Sequence, residues 1–266
     1  MSALRAPNLR ARLRAEALED RLTPSSTVTS AEPPTEVRIE GEDAFAFYPR
    51  ASVPSFAQVF AGYDGGGAVA ASADVSGDGV WDYVFMAGIN GHVKVFDGRT
   101  GAELRSFIAY PGYTGSVSLS VTATNGNGPS DIVTAAGTNG HVRVFDGRTG
   151  EAVRSFFAYS GYVGSVNVLS VDVSRDGVAD IVTGADVNGH VKVFDGRTGK
   201  EVTSYFAYAG FTGSIGLGYE PALDGGNDIS TFAIGSTHRK LFDGMTGAEL
   251  RSFLDADMDN RPDDHV

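Results

Sequence analysis

Two segments of this chain space their oxygen-bearing side chains as a metal-ligating loop would. DVSGDGVWD at 74–82 carries Asp74, Ser76, Asp78 and Asp82, and DVSRDGVAD at 172–180 repeats the set as Asp172, Ser174, Asp176 and Asp180. In a tight loop, alternate residues turn their oxygens inward and the Gly after the third ligand position permits the bend. The carbonyls of Val80 and Val178 offer a further ligand. Oxygen-only, carboxylate-rich coordination suits calcium. The loop closes on Asp at its ninth position and is flanked by strand-like runs, so it is not an EF-hand. Serine at the third position lowers the charge of each site, which predicts the affinity of extracellular modules, roughly 10⁻⁴–10⁻³ M.

Three further segments test the pattern. DADMDNRPD near the C-terminus offers Asp255, Asp257, Asp259 and Asp263, without a preceding strand to hold them. The remaining copies are depleted, reading Ala123, Asn125, Asn127 and Asp131 in one and Glu220, Ala222, Asp224 and Asp228 in the other. Asp or Asn followed by Gly also makes a hairpin turn without any metal, so an ordinary turn stands beside calcium as a reading.

Other recurring residues carry weaker chemistry. His92, His141, His190 and His238 each precede a basic residue by two positions: Lys94, Arg143, Lys192 and Lys240. Symmetry would spread them apart, so a structural role is expected for the imidazoles, and pairing with Asp or Glu on adjacent units for the bases. Arg99, Arg148 and Arg197 are expected at solvated hairpin tips. The segments FIAYPGYTG, FFAYSGYVG and YFAYAGFTG place Tyr110, Tyr113, Tyr159, Tyr162, Tyr208 and Phe211 near junctions between units. Rings there serve packing or a glycan groove. No nucleophile elbow, metalloprotease helix, phosphate-cradling loop or nucleotide fingerprint is present. A carboxylate pair for glycoside cleavage is not expected either, because the acids recur by symmetry.

The elements that must position these residues come from a repeat. GHVKVFDGRTG at 91–101 returns as GHVRVFDGRTG at 140–150, GHVKVFDGRTG at 189–199 and, worn, THRKLFDGMTG at 237–247. Whatever explains one copy must explain all four. Each unit holds four short runs rich in Val, Ile, Phe and Tyr, and none reads as a helix. In the third unit they are SVNVLSVDV (165–173), ADIVTGA (179–185), GHVKVFDG (189–196) and EVTSYFAY (201–208). The turns between them, SRDG, DVNG, DGRTG and AGFTG, supply positive backbone dihedrals and Asp side chains that bond their own backbone. Four strands per unit predict an all-β propeller of four-stranded blades. Four nearly complete blades begin near Ala68, Ser116, Ser165 and Ser214, and a partial fifth is shared by the termini. AFAFYPR and SFAQVFAGY (44–63) would supply its last strands, although an open, self-associating array is the alternative.

Composition bounds the rest. With no cysteine there is no disulfide or catalytic thiol. A net charge of −12 disfavours nucleic acid and favours cations. No run approaches the length of a transmembrane segment. Residues 1–24 form a basic, targeting-like segment, 25–43 a Pro/Ser/Thr linker, 44–254 the repeats and 255–266 an acidic tail. No apolar stretch follows the N-terminal arginines, so this is not an ordinary secretory signal.

The loop DxSxDGxxD followed by DIVTG, with the FDGRTG turn after each third strand, resembles the FG-GAP or VCBS family of propeller repeats over residues 44–254. ALEDRLTPSS resembles the N-terminal motif of large secreted bacterial repeat proteins. The resemblance implies calcium in these loops, secretion or display on a bacterial surface, and adhesion or carbohydrate recognition, as in integrin α-subunit heads and some lectins. A typical member has seven blades, so four and a fraction departs from the pattern. The expected function is a noncatalytic, calcium-binding recognition scaffold for a protein or glycan. Its rivals are a purely structural repeat of an extracellular layer and a quinoprotein-like enzyme. The closing tryptophan of quinoprotein repeats is absent, with Phe107, Phe156, Tyr205 and Phe253 near its place.

Overall fold

The computed structural model describes Val59, Phe60 and residues 68–254 apart from 125–127 and 223–224. All of these fall in one compact unit, Glu40–Val266. They form sixteen strands in four antiparallel meanders. The first unit holds β1 (Ala68–Ala73), β2 (Asp82–Ala87), β3 (His92–Phe96) and β4 (Glu103–Ile108). The second holds β5 (Val117–Thr122), β6 (Asp131–Ala136), β7 (His141–Phe145) and β8 (Ala152–Phe157). The third runs through β9 (Val166–Val171), β10 (Asp180–Ala185), β11 (His190–Phe194) and β12 (Glu201–Phe206). The fourth completes the series with β13 (Ile215–Pro221), β14 (Asn227–Ala233), β15 (His238–Phe242) and β16 (Glu249–Leu254).

The expected propeller is not what these strands build. They make four separate four-stranded sheets, each hydrogen-bonded only in chain order, and no ladder joins one sheet to another or closes a ring. The reason is local: the turn chemistry of a unit dictates its own meander, whereas closure depends on the ends meeting, which no repeated residue encodes. The segments expected to share a fifth blade lie outside the described residues, Val59 and Phe60 excepted. Two single turns of 3-10 helix, Ile89–Gly91 and Thr138–Gly140, also appear where only a turn was expected.

Sheets pack face to face. The following face of the first, with Val84, Met86, Val93 and Val95, meets Ile132, Ala136 and Phe145 of the second. Val133, Ala135, Val142 and Val144 meet Ile181, Ala185 and Phe194 in the same way, and Val182, Val191 and Val193 meet Ile229, Ala233 and Phe242. Each Val, Ile, Met or Phe among them contributes about 1.5–3 kcal/mol on burial. Strands β6 and β10 are buried at every position, which is why DIVTAA and DIVTGA read as continuous apolar runs rather than alternating ones. The fourth strands alternate between half-buried and exposed, as outer strands do. Ring pairs Phe107–Phe145, Phe156–Phe194 and Tyr205–Phe242, with centroids 4.7, 4.7 and 4.5 Å apart, repeat at each junction.

The last sheet breaks this pattern on its following face. Where earlier units place Val84, Val133 and Val182, the fourth has Ser230, and where they place Val93, Val142 and Val191 it has Arg239, lying 5.1 Å over the Phe232 ring.

Candidate functional site

The Asp loops lie between the first and second strands of each sheet. Asp74 accepts backbone N–H bonds from Gly77, Asp78 and Gly79 at 2.6, 3.2 and 2.9 Å, while Asp78 Oδ1 accepts from Val80 at 2.8 Å. Asp82, fully buried at the start of β2, accepts from Val75 and Ser76 on one oxygen and from Gly98 on the other. It therefore ties its own loop to the DGRTG hairpin between β3 and β4. Gly98 is required there, because a Cβ would stand 1.7 Å from the Trp81 carbonyl oxygen.

The third unit repeats this wiring. Asp172 accepts from Arg175 and Gly177 at 2.6 and 3.0 Å, and Asp176 accepts from Val178 at 2.9 Å. Asp180 takes the N–H groups of Val173, Ser174 and Gly196 at 3.1, 2.9 and 3.1 Å. Burial raises the Asp180 carboxyl above the usual range, since a desolvated carboxylate is disfavoured. Asp176 is held low, first by Arg197 and then by the Val178 N–H.

Hairpin-tip arginines are not simply solvated. Arg99 Nη2 lies 3.4 Å from Asp78 Oδ2, and Arg197 Nε lies 3.0 Å from Asp176 Oδ2. In both units the hairpin thus leans a cation on the fifth residue of the loop. Within the hairpin, Asp97 Oδ1 accepts from the N–H groups of Arg99 and Thr100 and from the Thr100 hydroxyl, which holds its carboxyl low.

The two loops share one polar atom that their own wiring leaves over. The third-position hydroxyls, Ser76 Oγ and Ser174 Oγ, are both shielded from solvent and neither has a hydrogen-bond partner. Ser174 Oγ faces the carboxylates of both Asp176 and Asp180. The same atom is orphaned in both copies, at the position the spacing assigns to a ligand. Among the described residues no three or more His, Asp or Glu side chains gather as a metal-holding group. A bound cation would therefore draw on the serine hydroxyl and the Val80 or Val178 carbonyl as well as on carboxylates.

The other expected ligands are placed unevenly. Asn125, Asn127, Asp224, Asp255, Asp257, Asp259 and Asp263 lie outside the described residues. In the second unit the buried Asp131 accepts from the N–H and hydroxyl of Thr124, so an ordinary side-chain turn replaces the acidic set there.

At the junctions, the histidines hydrogen-bond within their own sheets, while the rings of His141, His190 and His238 meet the tyrosine of the preceding unit. His92, His141, His190 and His238 each bring Nε2 within 2.7–2.8 Å of a serine on the fourth strand: Ser106, Ser155, Ser204 and Ser252. Three of the bases also pair inside the unit rather than across units, as Lys94–Glu103, Lys192–Glu201 and Lys240–Glu249 at 2.8, 2.6 and 2.7 Å. The junction tyrosines reach across. Tyr110 bonds Thr134 and the His141 carbonyl, and Tyr208 bonds the Thr231 and His238 carbonyls. Between the first and second sheets they leave an open cavity of about 250 Å³ lined by Tyr110, Tyr113, Asn139, His141, Arg143 and Phe157.

The positive dihedral expected of Asn in these turns is found, but sequence reasoning missed what the asparagine side chains bond to. Asn90, Asn139 and Asn188 adopt left-handed backbone (φ 60, 56 and 58°) and accept from Gly112, Gly161 and Gly210 at 2.6–2.7 Å, which pins the linker leaving each sheet. Their signal was the NGH that recurs before every third strand except the last.

No family model matches the chain, and no curated protein matches it. Among solved structures, the crystal structure of the computationally designed Ika8 protein is similar at 25% identity and a TM-score of 0.47. The similarity covers 65% of this chain and 46% of that one, so the chain spans less than half of that protein's length. No described helix is long and apolar enough to cross a membrane.

Proposed function

We propose that this chain is a noncatalytic recognition scaffold of FG-GAP or VCBS type, in which calcium stiffens the loops of the first and third units. The surface so positioned binds a protein or glycan, in a secreted or surface-displayed setting. One observation carries the reading: the orphaned hydroxyls of Ser76 and Ser174 at the same ligand position of two equivalent loops. In the first loop Asp74, Ser76, Asp78 and the Val80 carbonyl would hold the ion, with Asp82 closing the loop behind them. Asp172, Ser174, Asp176, Val178 and Asp180 are their counterparts. Calcium would neutralise clustered carboxylates and give the unpartnered serine hydroxyl a partner.

A purely structural repeat is the second reading. It is favoured by Arg99 and Arg197, which already place a cation on Asp78 and Asp176. Calorimetric titration of the full chain with calcium separates the two. Saturable heat in the sub-millimolar to millimolar range, absent for magnesium, supports the scaffold. No heat leaves ordinary turns held by their own side chains.

A further inference from the structure

The second unit breaks a pairing that the other three keep. Its third strand carries Arg143 where they carry lysine, and its fourth strand carries Ala152 where they carry Glu103, Glu201 and Glu249. The register is shared, since Phe145 pairs with Ala152 as Phe96, Phe194 and Phe242 pair with the three glutamates. The nearest glutamate, Glu151, is shifted by one residue, and so falls on the other side of the strand. Among the described residues no carboxylate lies within ion-pair distance of Arg143.

This base lines the cavity between the first two sheets. It spends one N–H on the Ala109 carbonyl at 2.5 Å, and its guanidinium rests 5.0 Å over the Phe145 ring. The remaining donors of a planar fork match a carboxylate. Around it stand the rings of Tyr110, Tyr113 and His141, with Phe157 more than half exposed at the rim. Phe157 is held against His141 at a centroid distance of 4.7 Å. An exposed aromatic beside an uncompensated cation is a surface for a flat or ring-shaped anion. At about 250 Å³ the cavity is smaller than the roughly 300–1,000 Å³ of drug-sized sites, so it takes one ring rather than an extended chain.

We propose that the cleft between the first and second sheets binds an acidic sugar, with Arg143 receiving the carboxylate of a uronic-acid residue and Phe157 and Tyr110 flanking its pyranose ring. This rests on the recognition-scaffold reading and narrows it to one ligand class and one junction. The equivalent junctions are closed to it, because Glu201 and Glu249 already neutralise Lys192 and Lys240.

Ligand-observed saturation-transfer NMR on the full chain tests the assignment, with D-glucuronate, D-glucose and acetate as probes in chelator. Transfer to glucuronate is expected, at least tenfold stronger than to glucose and absent for acetate. Two variants must then abolish it: Arg143→Gln, which removes the charge, and Ala152→Glu, which restores the pairing of the other units at an exposed position. Ala152→Glu, at an exposed position, should keep the parent melting midpoint, which separates loss of binding from loss of fold. Equal transfer to glucose and glucuronate overturns the proposal, as does transfer to acetate alone, no transfer to glucuronate, or binding that survives both variants. Failure here leaves the scaffold reading standing if the chain still binds calcium and captures a neutral glycan on an array.

Discussion

Tyr159, on the linker that leaves the second sheet, donates its hydroxyl to the carbonyl of His190 in the third at 2.7 Å, and its ring lies 5.1 Å from the His190 imidazole. The same hydroxyl lies 2.9 Å from Thr183 Oγ1, so one buried phenol joins two sheets by packing and by hydrogen bonds. Tyr159→Phe keeps the packing and leaves the acceptors short of a donor. It is expected to cost about 1–2 kcal/mol in urea unfolding without changing the slope. Tyr159→Ala should cost about 3–5 kcal/mol, as cavity formation adds to the loss.

Asp180 separates loop architecture from any metal. Its three backbone donors lose their acceptor in Asp180→Ala, and unsatisfied buried groups cost about 1–3 kcal/mol each, so a loss of at least about 3 kcal/mol is expected in chelator. Asp176, exposed, paired with Arg197 and accepting the Val178 N–H, should be nearly neutral as Asp176→Ala under the same conditions. Chemical denaturation of the two variants checks the contrast.

The histidines predict a pH dependence. Burial holds His92, His141 and His190 below the ordinary imidazole value, with the neighbouring base adding to the effect in each. A lowered pKa means the unfolded chain binds more protons, so the stability these groups contribute is present above about pH 6.5 and is lost as pH falls from there toward their folded values. The melting midpoint should decline between pH 7 and 5.5. His141→Gln with His190→Gln should flatten that decline.

Ser230 and Arg239, polar where the other three units are apolar, also lead to a prediction. Restoring the apolar stripe with Ser230→Val and Arg239→Val recreates on the fourth sheet the surface that the third uses to receive a neighbour. Sedimentation should then show stronger concentration-dependent association than in the parent chain, because two apolar side chains replace polar ones on a face that matches the surface the third sheet offers to a neighbour.

Much of this was legible in the residues, for reasons that differ by element. Strands such as β10 and β11 announced themselves because DIVTGA and HVKVF sit between Asp-Gly and Asn-Gly turns, and turn chemistry acts within a few residues. The spacing of the Asp loops was legible, but the burial of the ninth-position Asp among backbone N–H groups, where a ligand was expected, was not. Nor were contacts between distant turns. That Arg197 would meet Asp176, or that His190 would find Ser204 rather than a turn, depends on how the hairpins fold over the sheet. The propeller expectation failed for a related reason, since ring closure is a property of the ends and not of any unit. The exception at Ala152 was visible in the alignment of repeats, but it gained meaning only once its partner was seen to be Arg143.

Calcium in the loops of the first and third units is the central claim, and a thermal melt of the full chain followed through Trp81, 55% exposed within the first loop, tests it most directly. At ten times the dissociation constant each site adds about 1.4 kcal/mol, so two sites should raise the midpoint by roughly 5–10 °C over chelator. That rise should vanish in Asp78→Ala with Asp176→Ala, while the midpoint in chelator barely moves. A midpoint indifferent to calcium in the parent chain, or a rise that persists in the double variant, contradicts the account.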